Sequence, residues 1–420
     1  MTGGETHGER NEGAGRTERD AAEAHRGRLR RAGGAVMATS IGTIVLILVL
    51  EIVLRPVAFF THDRSEYYLF YGLQSAAGRV GISPWTVYTG RHFKFPPNFE
   101  LKGAAGQGDE TAHTDSLGFR GADFPKAKPR GTFRIVALGG SSTFGFHDND
   151  DGTYPFLLQR LYEENPGPMR VEVINAGFPY YNTGTIRGLL EDEIVSYEPD
   201  LITLYSAYND VGWPVDLSFA LRATIWIQQH SIIYLLAKES ILTDNDVYRI
   251  KQRLVRKNHL RVDEDERRAR MERVAKRYRD NVEAIADLAA RRGIQLVLVR
   301  QPMTSAVDNS KPNTLTYEEN YAAVNEKLER GKFLKPFERQ ILGHHRLIQE
   351  FDALAAERSL PVVDNVAIVD QNRNLLSSWV HLTEEANQLL AIALREKIDP
   401  FVEAAYEASQ GAAADSSVSR

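Results

Sequence analysis

The sequence predicts an α/β protein in which a doubly wound parallel sheet of five strands lies between helices, a three-layer α/β/α arrangement, with a transmembrane helix ahead of it. Three observations carry this reading. Short apolar runs at residues 133–138, 171–174, 201–205 and 294–299, with a weaker fifth at 360–363, alternate with helical patterns. Strands that alternate with helices imply a parallel sheet covered on both faces. One intervening helix can be counted out. Met271, Val274, Tyr278, Val282, Ile285 and Ala289 recur at spacings of three and four, and Gly293 stops the helix before the next strand. Finally, residues 32–50 hold no charged side chain and include SIGTIVLILVL. The sheet expected is flavodoxin-like, with its ligand crevice at the carboxyl ends of the strands.

Composition bounds the rest. A chain of 420 residues with 43% hydrophobic side chains can bury a substantial core. Lys and Arg number 51 against 56 Asp and Glu, a net charge of −5, so no global positive field draws a nucleic acid. The absence of cysteine removes disulfides, thiolate zinc sites and cysteine nucleophiles together.

Along the chain, residues 1–31 are rich in Gly, Glu and Arg with almost no large apolar side chains, and read as a disordered tail. Residues 32–54 read as the membrane span, because about 20 apolar residues cross a bilayer core. Arg16, Arg19, Arg26, Arg28, Arg30 and Arg31 precede the span, and only Arg55 and Arg64 follow closely. That excess keeps the N-terminus in the cytoplasm and the bulk of the chain outside. A cleaved signal peptide fits less well, since the leading region is long and the apolar run exceeds the usual length. Residues 55–130, aromatic and rich in Gly and Pro, read as a membrane-proximal extension. The α/β domain then spans 131–406, and 407–420 is a flexible tail. Within the domain, residues 216–263 carry LSFALRATIWIQQHSIIYLLA, broken by Arg222 and His230. A lid or interfacial helix suits that segment better than a second span. Residues 307–337 suggest an insertion loop with one helix.

The chemistry begins at ALGGSSTFGF, residues 137–146, directly after the first strand-like run. A Walker-type phosphate loop needs a lysine that is missing here, and Gly139, Gly140 and Gly145 do not fit the dinucleotide fingerprint. The α/β-hydrolase elbow wants glycine where Thr143 stands. What remains is a strand end that presents Ser141 or Ser142 in the crevice. LYSAYNDVG places Asn209 and Asp210 beyond another strand at the same edge, where an amide can donate to a developing oxyanion. INAGFPYYNTG ends a strand in a tight turn whose backbone N–H groups enter the same crevice. WVHLTEEANQLLA sets His381 just before a helix that Thr383 caps, with Glu384 and Glu385 in its first turn. His344 and His345 lack a second ligand cluster and read as a surface pair, and Gln301 shapes the pocket without performing chemistry.

These four segments, in this order, resemble the SGNH or GDSL-type hydrolases over about residues 115–400, including DSLGFRG ahead of the first strand, which is similar to membrane-linked members. The resemblance implies a serine esterase, lipase or deacetylase without metal or cofactor. Ser141 would be the nucleophile, His381 the base, and Asn209 with the N–H groups of Ser141 and Tyr180 the oxyanion donors. Gly140 stands where the family often has aspartate, Ala207 and Tyr180 where it usually has glycine. The family's acid position, three residues before the histidine, holds Ser378, which can accept from the ring N–H but carries no charge. Asp370 or a backbone carbonyl could orient His381 instead, or the pair acts as a dyad. The implied partners are an acyl-ester substrate, on a glycan or a lipid, and the membrane that holds the N-terminal helix. Two other readings use the same residues: acyl transfer to a cell-surface glycan, and a non-catalytic surface carbohydrate-binding module.

Overall fold

The computed structural model describes residues 9–61, 87–88, 91–102, 111–211, 227, 231–234, 236, 264–305 and 315–418. The chain forms two compact units, one of Met1–Leu73 with Thr224–Asp244 and one of Gln74–Ala223 with Asn245–Arg420.

In the first unit a single helix, α1 (Glu9–Thr61), carries the apolar run. Its part Gly33–Thr61, 29 residues with an 18-residue window of mean hydropathy 2.4, is long and apolar enough to cross a membrane. The tail expected to be disordered before Ala32 is helical from Glu9. Its Ala, Glu and Arg residues are good helix formers and extend a helix that the apolar run has already nucleated. Glu51 accepts from the Ser231 hydroxyl and from the Ile232 N–H at 2.9 Å, capping the helical piece at 232–234. Ala58 and Ile232 are buried there, with Leu54, Ile233 and Leu236 packed around them. Apart from residues 227, 231–234 and 236, the segment 216–263, expected as a lid or interfacial helix, lies outside the described residues.

The second unit opens with two small antiparallel pairs, β1 (Val87–Tyr88) with β2 (Phe93–Lys94) and β3 (Glu100–Lys102) with β4 (Thr111–His113). The main sheet follows: β5 (Thr132–Gly139), β6 (Arg170–Gly177), β7 (Leu201–Tyr205), β8 (Gln295–Val299) and β9 (Val362–Val363). All five are parallel, in the order β6-β5-β7-β8-β9. Each overlaps one of the apolar runs, and the order is the flavodoxin-like one. Among the described residues the helices between and after them are α2 (Ser141–Phe144), α3 (Tyr154–Glu164), α4 (Thr183–Asp192), α5 (Tyr208–Val211), α6 (Glu264–Arg291), α7 (Tyr317–Glu329), α8 (Pro336–Glu357), α9 (Asn365–Gln371) and α10 (Glu384–Val418). The last runs through the tail expected to be flexible.

Alternation along the strands divides the interior in two. Val136, Leu138, Ile174, Ile202, Leu204, Leu296 and Leu298 pack with Ile186 of α4, Val282 and Ile285 of α6, and Phe351 of α8. Ile135, Ala137, Val171, Leu201, Val297 and Val299 pack with Leu157 and Leu158 of α3 and with Leu390 and Leu394 of α10. Of the residues read as a membrane-proximal extension, Phe119 is fully buried in the first core, and Phe93, Phe95 and Phe124 pack beside it.

The outer edge of β6 is occupied by one side chain and one backbone bridge. The Gln159 carboxamide accepts from the Val173 N–H at 2.7 Å and donates to the Val171 carbonyl at 3.3 Å, and the backbone of Arg120 forms an antiparallel bridge with Asn175 beside it. At the opposite edge β9 is two residues long.

Register sets the functional end of the sheet. Gly139 of β5 pairs with Gly177 of β6 and with Tyr205 of β7, so the three strands end level. The helix α2 then lies directly on the strand ends. A Cβ on Gly177 would stand 2.3 Å from the Phe144 nitrogen and 2.6 Å from the Thr143 carbonyl carbon. Backbone atoms cannot swing aside as a flexible side chain can. Gly177→Ala should therefore lower stability by about 1–3 kcal/mol, the usual size of an overpacking penalty. The urea midpoint reads it, and a variant with an unchanged midpoint would show that α2 has room to move.

Candidate active site

Ser141, Tyr180 and Asn209 follow the level row of Gly139, Gly177 and Tyr205 by two, three and four residues. That places all three at one edge. Ser141 is the first residue of α2, and the residue before it must be small. A Cβ on Gly140 would meet the Asn209 Nδ2 at 2.8 Å and the Tyr181 carbonyl oxygen at 3.2 Å. Glycine at 140 thus lets the Asn209 amide lie against the turn that carries Ser141.

His381 arrives from the far end of the chain. Its ring Nε2 is 2.9 Å from Ser141 Oγ. The loop that holds it is tied by the Ser377 N–H to the His381 carbonyl at 2.9 Å and by the Thr383 N–H to the Leu375 carbonyl at 2.9 Å. Thr383 Oγ1 accepts from the Ala386 N–H at 3.3 Å, so α10 begins with the expected cap. On the other side of the ring, Nδ1 is 2.7 Å from Ser378 Oγ. Phe146 stacks on the ring with centroids 6.0 Å apart, and the His147 ring lies at 4.5 Å. Burial, and secondarily His147, pushes the His381 pKa down to about 3.

The Asn209 side of the site is built from two turns. Asn209 Nδ2 donates to the Tyr181 carbonyl at 2.8 Å. Its neighbour Asp210 accepts from the Thr183 N–H at 3.0 Å and from the Thr183 hydroxyl at the start of α4, with burial raising its pKa to about 6 against those bonds. Tyr180, where the resemblance expects glycine, adopts φ +66° and leaves 81% of its surface exposed. A left-handed conformation is strained for a residue with a Cβ, and the turn closed by the Tyr181 N–H on the Phe178 carbonyl at 3.2 Å imposes it.

Ser142 points elsewhere. Its hydroxyl donates to the Val380 carbonyl at 3.2 Å and accepts from Gln301 Nε2 at 3.4 Å. Gln301 Oε1 also accepts from the Ala207 and Tyr208 N–H groups at 2.8 and 2.7 Å. One carboxamide thereby joins the strand-end loops of β5, β7 and β8. A second support, absent from the reading of the sequence, is Arg120. Its buried guanidinium donates to the carbonyls of Phe144 at 2.6 Å, Gly145, and Asp148 at 2.7 Å, and to Asp150 Oδ1 at 2.9 Å. It holds the loop after Ser141, and its place in DSLGFRG was the available signal.

Two expectations are corrected. Asp370 is not brought to His381; its carboxylate accepts from the Tyr317 N–H at 3.0 Å and from Arg373 Nη1 at 2.7 Å. A buried guanidinium three residues away is the stronger partner. His344 is not on the surface. It is fully buried with Nδ1 2.8 Å from the Tyr317 hydroxyl, while His345 stacks on Tyr321 at 3.6 Å. Among the described residues no group of three or more His, Asp or Glu side chains is arranged to hold a metal.

Residues 137–330 match the model of the GDSL-like lipase/acylhydrolase family. The segment is a GDSL-like lipase/acylhydrolase domain. Similar solved structures include the lipase/acylhydrolase from Enterococcus faecalis, at 15% identity, covering 63% of this chain and 95% of that one with a TM-score of 0.37. The psychrotrophic esterase from Pseudoalteromonas sp. aligns at 11% identity over 64% and 98% of the two chains, TM-score 0.37. An acetyl xylan esterase aligns at 15% identity over 63% and 98%, TM-score 0.37. No curated protein matches the chain. Ser141, Tyr180 and Asn209 fall inside the matched residues and His381 beyond them.

The depressed pKa has a direct readout. The His381 imidazole stays neutral well below its unfolded value of 6.5, so its ring proton resonance should not shift between pH 8 and pH 5. A midpoint near 6.5 would refute the burial argument. The sign for stability follows. Below pH 6.5 the unfolded histidine takes up a proton that the folded one refuses, so folding weakens as pH falls from 6.5 toward 3. His344, likewise lowered to about 3 by burial, adds to the same trend.

Proposed function

We propose that this protein is a serine esterase that cleaves acyl esters through an acyl-enzyme on Ser141. The observation that carries the reading is the 2.9 Å contact between Ser141 Oγ and His381 Nε2, made at the strand edge where the Asn209 amide also lies. In this mechanism Ser141 attacks the ester carbonyl as His381 takes the hydroxyl proton. The alcohol departs with that proton, and water, activated by the same imidazole, releases the acid. The oxyanion is met by the N–H groups of Ser141 and Tyr180 and by the Asn209 amide. An amide nitrogen carries two protons. One is spent on the Tyr181 carbonyl, which aims the other and fixes it before the reaction, as oxyanion stabilisation requires.

The reading extends to topology. The arginine excess ahead of the apolar run of α1 supports an N-terminus in the cytoplasm and an extracytoplasmic esterase domain. Protease added to intact cells should then digest the domain, whereas protection until lysis would reverse the orientation.

A serine-reactive phosphonate tests the nucleophile. Ser141→Ala should abolish covalent labelling while keeping the fold, because one hydroxyl is removed. Ser142→Ala should keep most labelling, since Ser142 is engaged with Val380 and Gln301. Labelling that survives Ser141→Ala and disappears in Ser142→Ala would move the nucleophile by one residue.

A further inference from the structure

We infer that Ser378 holds His381 in the ring tautomer that leaves Ser141 unactivated, making position 378 a brake on the site. The kinetic consequence rests on the esterase reading; the tautomer itself does not.

The inference follows from counting protons. A serine hydroxyl has one proton to give and two lone pairs to receive. Ser378 Oγ meets the His381 N–H at 3.1 Å, the Val380 N–H at 3.4 Å and the His381 ring Nδ1 at 2.7 Å. The two backbone groups can only donate, so they take the lone pairs. The hydroxyl proton is left to point at Nδ1, the shortest of the three contacts. Nδ1 then accepts, and a neutral imidazole whose Nδ1 is bare carries its proton on Nε2. That proton points along the 2.9 Å line to Ser141 Oγ. A general base needs the opposite arrangement, a bare Nε2 that receives the serine proton.

A carboxylate at 378 has no proton. It would accept from the same two backbone N–H groups and still require Nδ1–H, which leaves Nε2 free. Serine therefore preserves the geometry of the turn and inverts the direction of the hydrogen-bond chain. The expectation that Ser378 accepts from the ring is replaced by one in which it donates. For a serine–histidine–aspartate triad, holding the wrong tautomer costs about 10⁴-fold in turnover with the geometry intact. To react, this site must first move the proton from Nε2 to Nδ1, with the Ser378 hydroxyl turning away from the ring.

The test uses the full chain in detergent micelles with ¹⁵N-labelled histidine. Long-range ¹⁵N–¹H correlation at neutral pH shows which ring nitrogen is protonated, and the His381 signals are those lost in His381→Gln. The expected result is Nε2–H in the wild type and Nδ1–H in Ser378→Asp; Nδ1–H in the wild type overturns the inference without any turnover measurement. On a small activated ester, Ser378→Asp should raise kcat by about tenfold or more, part of the roughly 10⁴-fold that a wrong tautomer withholds, with little change in KM. Ser378→Ala removes the donor, so kcat should rise severalfold. An unchanged or lower kcat in Ser378→Ala, with the fold intact, overturns the brake even if aspartate fits badly. Tautomers as expected, with Ser141 inert to phosphonate in both wild type and Ser378→Asp, would support the tautomer inference and remove the esterase reading.

Discussion

The arrangement at the strand ends depends on two missing side chains. Gly139 and Gly177 face each other across β5 and β6, and α2 rests on both with no space for a methyl group. Because α2 begins at Ser141, its seating fixes the height of that hydroxyl above the sheet. The level register then carries the Tyr180 turn and Asn209 to the same height. Had β6 slipped by one residue, every side chain along it would change faces, and Gly177 would no longer lie beneath α2.

Around this seat the polar supports are neutral or already paired. Gln301 joins three loops with one carboxamide, Asp210 is spent on the first turn of α4, and Arg120 is spent on carbonyls and Asp150. Among the described residues, no carboxylate reaches the His381 ring. Its neutral form is therefore favoured by burial and opposed by nothing nearby. The geometry of a serine–histidine pair is complete, but the electrostatic aid to an imidazolium is not supplied by an acid at 378.

Much of this was legible in the sequence where one residue type can do one thing in one place. The five strands follow from apolar runs bounded by helical periodicity. Ser141 stands out because glycines follow a buried strand, and His381 because a helix cap stands two residues on. What was not legible is whatever depends on distant partners. Arg120 reaches carbonyls more than twenty residues away, and no periodicity announces that. Asp370 looked available to the histidine by proximity in the chain, yet Arg373 claims it. Tyr180 hides its left-handed backbone behind a residue type that rarely adopts one. His344 followed the usual fate of polar pairs until the Tyr317 hydroxyl gave it a buried partner. Residues 9–31 carry no apolar face to predict a packed helix, and their helical form draws on continuity with the apolar run.

The groups on the border of β6 bear on how copies of this protein can meet. A parallel sheet ends in a row of backbone donors and acceptors that another chain could extend, the common route to aggregation and to peptide capture by strand addition. Here the Gln159 side chain imitates a neighbouring strand for Val171 and Val173, and the backbone of Arg120 pairs with Asn175 directly. The far border is too short to template anything, and Pro361 just before it has no N–H to offer. Among the described residues the sheet is thus sealed at both sides. Assembly by extending this sheet is thereby disfavoured, and contacts through helix faces and loops rest on side chains, which can discriminate between partners in a way that an exposed backbone cannot.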